Sequence, residues 1–338
     1  MSAVEELASH APAVEAVPKR AMTLSSGTAF VVVLLLLIVP LFTKNFVIFQ
    51  MTMLLIYGLA VLALNILTGG SGQFSLGQSA FYAIGAYTSA ILMEQYGVNY
   101  ALTLPVAGVV CFGAGFLFGQ PALRLSGVYL ALATFALATA MPQLLKLGFF
   151  EPWTGGVQGL VVTKPDAPFG LPMSQDMWLY YFTLAVTIAI YIFSVNLLRS
   201  RSGRAFMAIR DNEIAASAMG IDVATYKTLA FGVSAGITGV AGGLGAIAVQ
   251  FVAPDSYTIT LAISLFLGMV VGGVGWLPGS FVGAAFIIFV PNMAEAISKG
   301  LSGAVFGVLL FLVIFLVPHG ARQVAMVAQQ LIEKARNR

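Results

Sequence analysis

The chain has 338 residues, 59% of them hydrophobic and only 9% charged, against roughly 25% charged in soluble globular domains. Its net charge of +3 comes mostly from loop residues, which gives no case for a nucleic-acid partner and leaves membrane lipid as the expected surroundings. Hydrophobic runs of about 20 residues match a hydrocarbon layer about 30 Å thick at a rise of 1.5 Å per helical residue.

In chain order, residues 1–27 read as a polar, Ala- and Pro-rich cytosolic tail. Lys19-Arg20 before the apolar run Val31–Val39 has the look of a signal peptide. No small-residue cleavage site follows, so a retained first span is expected. Ten candidate spans follow, near 28–43, 46–67, 74–93, 100–119, 127–147, 177–198, 228–250, 257–275, 279–298 and 303–317. Runs such as Phe306–Val317 are apolar on every face, which favours helices over the alternating strands of a barrel. The expected fold class is an all-α polytopic membrane protein of about ten transmembrane helices. The expected organisation is a transmembrane domain over 28–318 and a cytosolic tail over 319–338. With the N-terminus inside, twelve Lys and Arg fall on the cytosolic side and four on the other, as the positive-inside rule requires, and both termini are cytosolic.

Two glycine-rich breaks interrupt this pattern. Thr68-Gly69-Gly70-Ser71-Gly72 through Gly77-Gln78 follows the second span, and Gly272-Gly273-Val274-Gly275 through Gly279 follows the eighth. Both share Gly-Gly-x-Gly, both fall on the cytosolic side, and the echo has the sense of a parallel repeat. Interrupted helices free backbone groups that can meet a solute. The candidate pathway residues are Gly69, Gly72, Gln73, Ser75, Gly77, Gln78 and Phe81, which bring uncharged hydrogen-bonding and aromatic groups to the third span. Glycines spaced four apart, such as Gly268/Gly272 and Gly279/Gly283, predict closely packed helices.

The longest outward segment, 148–176, carries the turn-like Thr154, Gly155, Gly156 and Gly159. Its length suits receiving a binding protein or covering the mouth of a pathway. Segment 199–227 holds eight charged side chains between two spans. It predicts one short amphipathic helix from Ser202-Gly203 through Met219, ended by Gly220, with Phe206, Ile209, Ile214 and Met219 on its apolar side. Mixed charge on the other side favours a protein partner over bare lipid.

Chemistry of other kinds finds little footing. No Gly is followed by Lys, so there is no phosphate loop, and the two histidines, His10 and His319, lie in or beside the tails. Cys111 is the only cysteine, which excludes an intrachain disulfide and a cysteine metal cluster. No ionisable residue sits near the centre of a span, which counts against ion-coupled carriage. A transporter driven from outside the membrane, a passive channel for small neutral solutes and, less readily, a membrane enzyme stay open.

Gly203-Arg204-Ala205-Phe206 through Arg210-Asp211-Asn212-Glu213 to Gly220 resembles the coupling segment of branched-chain amino-acid ABC-transporter permeases of LivM type. Asn65-Ile66-Leu67-Thr68-Gly69 leading to Gly72-Gln73-Phe74-Ser75-Leu76-Gly77, and the outward Thr154-Gly155-Gly156, resemble the same family, over most of residues 50–320. The resemblance implies a ten-helix, type II-like importer bundle in a bacterial inner membrane. It implies a second related permease subunit, two cytosolic ATPases and a periplasmic substrate-binding protein. ATP and Mg would bind on the ATPases and no cofactor on this chain. Gly203, Arg204, Arg210, Asp211, Asn212, Glu213 and Gly220 would couple to the ATPases. Relatives in such a family also handle urea, amides and other small solutes.

Overall fold

The computed structural model describes residues 26–122, 127–168 and 173–297, with isolated positions 307, 308, 311 and 315. It is mostly helical. Helix α1 (Ser26–Ile38) runs into a 3-10 turn at Val39–Leu41 around Pro40, whose missing N–H cannot continue the ladder. Helix α2 (Asn45–Asn65) passes into a π-turn over Ile66–Gly70. Then come α3 (Gln78–Glu94), α4 (Tyr100–Ala122) and α5 (Val128–Leu145). A one-turn α6 (Glu151–Thr154) precedes α7 (Gln175–Arg199). The charged segment holds α8 (Arg201–Asp211) and α9 (Glu213–Ala218). The described bundle closes with α10 (Val223–Val249), α11 (Ile259–Gly272) and α12 (Gly279–Ile297).

Among the described residues, six stretches are long and apolar enough to cross a membrane, and Val31–Leu41 and Gly279–Met293 are shorter apolar helices. This is a multi-pass membrane protein. Each of the first nine expected spans contains a helix, while the tenth, 303–317, lies almost wholly outside the described residues. The tails at 1–25 and 319–338 lie outside them too. The third span starts at Gln78, four residues later than expected. The reason is local: Thr134 Oγ1 takes the Leu76 N–H (2.9 Å) and Ser75 Oγ takes that of Gly77 (3.2 Å). Those donors sit off the helical ladder, so the chain stays unwound until Gln78.

Helix α10 is the axis of the bundle, packing on α2, α3 and α4. Lipid tails are as apolar as Leu, so helices in a membrane associate by close packing, and small residues allow it. A Cβ at Gly85 would overlap the Gly239 carbonyl, and one at Gly242 the Tyr82 carbonyl. The predicted pairs Gly268/Gly272 and Gly279/Gly283 turn out to be two halves of one crossing. Gly268 faces Gly283, and Gly272 faces Gly279, where α11 meets α12.

The bundle has two ends. At the loop end, Leu160–Val161 (β1) pairs antiparallel with Phe251–Val252 (β2), just past α10. At the break end, the two glycine breaks and the charged segment come together.

Candidate functional site

The first break is a helix coming off its ladder in a defined way. The π-turn at Ile66–Gly70 is wholly buried. Its loosened backbone is then repaired from side chains. Ser71 Oγ donates to the Leu67 carbonyl (2.7 Å) and Thr68 Oγ1 to that of Gln73 (3.0 Å). Gly72 takes a positive φ of 75°, the left-handed turn that glycine adopts without a Cβ clash. Gln73, 7% exposed, donates from Nε2 to Ser71 Oγ (2.9 Å) and to the Lys227 carbonyl at the start of α10 (3.1 Å).

The second break lies directly against the first. A Cβ on Gly69 would overlap the backbone N of Gly275 and come within 2.7 Å of its Cα. Asn65, 1% exposed, bridges the two. Its Oδ1 accepts from the Gly275 N–H at 2.7 Å. Its Nδ2 lies 3.1 Å from the Trp276 carbonyl, 3.2 Å from Ser280 Oγ and 3.3 Å from the Gly273 carbonyl. Asn65 opens the Asn65-Ile66-Leu67-Thr68-Gly69 motif, and nothing in the motif's spelling assigns it a role. The available signal was an amide inside an otherwise apolar span.

The charged segment departs from expectation at Asn212. One helix was expected from Ser202-Gly203 to Met219; the structure has two. Ser200 caps α8, accepting from the Gly203 N–H at 3.4 Å. Asn212 adopts φ −159°, ψ 111°, and its side chain accepts from the Ala215 N–H (2.9 Å) to start α9. An Asn side chain competes for backbone donors in this way and so favours caps over helix interiors. The expected apolar side is divided by that turn. Phe206 and Ile209 are buried under α8, whereas Ile214 on α9 and Met219 at its C-terminal cap are each 84% exposed. Gly220 does end the segment, at φ 81°.

Arg210 joins this segment to the first break. Its Nη1 donates to the Gly69 carbonyl at 2.9 Å. Its Nε and Nη2 donate to Asp211 at 3.0 and 2.8 Å. Glu213 pairs with Lys227 Nζ at 2.6 Å, tying α9 to α10. Arg204 donates from Nη1 to the Arg199 carbonyl at 3.0 Å, away from the break. Asp222 caps α10; the Thr225 hydroxyl and amide hold its carboxyl below the ordinary carboxylate range. Between these parts opens a cleft of about 770 Å³, lined by Gly72, Gln73, Arg210 to Ile214 and Lys227 among others.

The remaining pathway candidates are placed differently. Ser75 and Gly77 brace each other beside Thr134. Gln78 is 1% exposed and fully engaged within the bundle. It donates to Ser234 (2.9 Å) and accepts from Thr238 (2.6 Å), while Ser234 donates to the Ala63 carbonyl (2.8 Å). Phe81 packs edge-on to Phe231 with ring centroids 5.7 Å apart. Thus Gly69, Gly72 and Gln73 adjoin the charged segment, whereas Ser75, Gly77, Gln78 and Phe81 serve the α3–α5–α10 packing.

The four outward candidates form a built turn at the loop end. Thr154 Oγ1 donates toward the Leu145 and Phe150 carbonyls (2.9 and 3.0 Å) and accepts from Gly156 N–H (3.2 Å). A Cβ on Gly155 would overlap the Gly159 carbonyl, and one on Gly159 the Val252 carbonyl. Glu94 takes both the N–H and hydroxyl of Thr163, at 2.8 and 3.0 Å, and Lys146 pairs with Asp255 at 2.5 Å. Lys164 pairs with Asp176.

A family model described as a branched-chain amino acid transport system permease component matches residues 46–317. The chain belongs to this family. Among permeases similar to it is the high-affinity branched-chain amino acid transport system permease protein LivM of Salmonella typhimurium strain LT2. That protein is 36% identical over 247 residues, 66% of this chain and 58% of the relative. The LivM of Escherichia coli K12 is 35% identical over 73% of this chain and 63% of its own length. The matches to both thus span about three-fifths of those relatives. A probable branched-chain amino acid transport permease protein LivH of Methanocaldococcus jannaschii is 26% identical, over 62% of this chain and 68% of its own. No solved structure matches the chain. The family match takes in both glycine breaks and the whole charged segment.

Proposed function

We infer that this permease is the membrane-spanning subunit of an ATP-driven bacterial importer for branched-chain or related small amino acids. It works by alternating access in the inner membrane, as a ten-helix, type II-like bundle with both termini cytosolic. A second, related permease completes the pathway. Two cytosolic ATPases dock on the coupling segments, of which this chain supplies 199–227, and hold the ATP and Mg, and a periplasmic binding protein delivers substrate to the loop end. The observation that carries this reading is the bond from Arg210 to the Gly69 carbonyl. It puts a charged, solvent-facing handle in contact with an interrupted membrane helix, so that pulling the handle re-aims the break. Exposed Ile214 and Met219 beside the Glu213–Lys227 pair supply the apolar-plus-charged surface that a protein partner takes. The LivM and LivH likenesses support a heterodimer.

Uptake of radiolabelled leucine, isoleucine, valine, urea and a small amide into vesicles, with and without ATP and the partner ATPases, tests this reading. Branched-chain uptake that needs both is expected. Flux that persists without them would make the protein a passive channel, and preference for urea or the amide would move the substrate class.

A further inference from the structure

We propose that Asn65 locks the two glycine breaks into one rigid body, so that α8, acting through Arg210, moves α2 and the α11–α12 pair together. Only the identity of the partner that moves α8 rests on the import reading above. Interrupted helices are the natural bending points of a bundle, and two separate interruptions would ordinarily flex independently. Here they do not stand apart. The Asn65 carboxamide carries two donor hydrogens and one acceptor oxygen, and its partners Gly273, Gly275, Trp276 and Ser280 lie more than 200 residues further along the chain.

Opening this contact would leave a buried amide and backbone carbonyls unpaired in an apolar interior, which is costly. Direct contact between the Gly69 and Gly275 backbones removes the room for sliding as well. The body so formed is tied to its surroundings at two points: Arg210 donates to the Gly69 carbonyl, and Gln73 of the first break donates to the Lys227 carbonyl. Asn65 is therefore a positioning residue. Its hydrogen bonds set which helices travel as a unit.

The test uses the full-length protein in lipid nanodiscs, with Cys111 replaced by Ala and spin labels on Phe74→Cys and Val274→Cys. Those positions lie one within each break and are 50% and 43% exposed. Pulsed dipolar spectroscopy reads the distance between them. With Asn65 present the distribution is expected to be one narrow peak, and Asn65→Leu broadens it at least twofold. Should the Leu variant not insert, Asn65→Ala removes the donors and the acceptor without adding bulk, with the same broadening expected. Equal widths with and without Asn65 overturn the proposal. In the assembled complex, Asn65→Leu is expected to keep hydrolysing ATP while solute moved per ATP falls tenfold or more; an unchanged ratio overturns the shared movement. The distance comparison needs neither ATP nor partner, so a failed import reading leaves its outcome intact and separately legible.

Discussion

Arg210 is satisfied on two sides at once: the Gly69 carbonyl takes Nη1 and the Asp211 carboxylate takes Nε and Nη2. A planar guanidinium holds such a fork, whereas a lysine ammonium is a single mobile charge. Arg210→Lys is thus expected to retain ATPase docking but lower uptake several-fold, and Arg210→Glu to abolish uptake while ATP hydrolysis continues. Parallel measurement of hydrolysis and transport checks this, and wild-type transport in both variants would sink the coupling role. Gly69 makes the complementary case, because the obstacle there is backbone and not a flexible side chain. Gly69→Ala is expected to destabilise the protein by about 1–3 kcal/mol, the usual cost of overpacking. Gly113→Ala has nothing within 4 Å and should unfold at or slightly above the wild-type temperature in detergent. At this scale the sequence showed which residues were unusual, but not what they touch. Gly69, Gly72 and Gln73 stood out as a polar break in apolar sequence, and so did Gln78. Whether a polar group near a break faces a cleft or a neighbouring helix depends on partners such as Ser234 and Lys227, far away in the chain.

Helices were the most legible elements, since long apolar runs have few other structures open to them in lipid. The glycine spacing was legible as close packing without a statement of which helix would answer which. In the structure Gly268 and Gly272 on α11 answer Gly283 and Gly279 on α12, and the intervening turn over 273–278 is what folds the two together. Gly283→Val forces these helices apart at a carbonyl contact. It should lower the thermal midpoint of the protein in detergent by more than Gly113→Ala or any substitution on a lipid-facing glycine, and a midpoint equal to wild type would show that the crossing carries no stability. The π-turn was not legible, because its residues Ile66–Gly70 read equally as a helix end. Nor was the division at Asn212. Ala-rich flanks argue for one continuous helix, and the capping bond from Ala215 that starts the second piece is a local competition which propensity alone does not resolve.

The molecule as a whole separates its two kinds of surface. One end gathers both breaks, the cleft, α8 and α9; the other gathers the two-residue strands, the Thr154 turn and the Lys146–Asp255 and Lys164–Asp176 pairs. Helix α10 runs from one to the other, held to the first break by Gln73 and to the outward loop by the Val162 N–H on the Gln250 carbonyl (2.9 Å). A partner that moves the break end therefore acts on a strut whose far end borders the loop surface. This arrangement has a function only if the two ends face opposite compartments in the stated sense. The distribution of basic residues argues for a cytosolic α8–α9 end, and one labelling experiment decides it. Cys111 is fully buried and stays silent to a maleimide that cannot cross membranes. Ile214→Cys and Val157→Cys, at positions 84% and 69% exposed, report the two ends separately. In intact spheroplasts the reagent is expected to modify position 157 at once and position 214 only after the membrane is broken. The reverse order would put the charged segment where no nucleotide-driven partner reaches it, and the Arg210 linkage would then need a driver on the outer side.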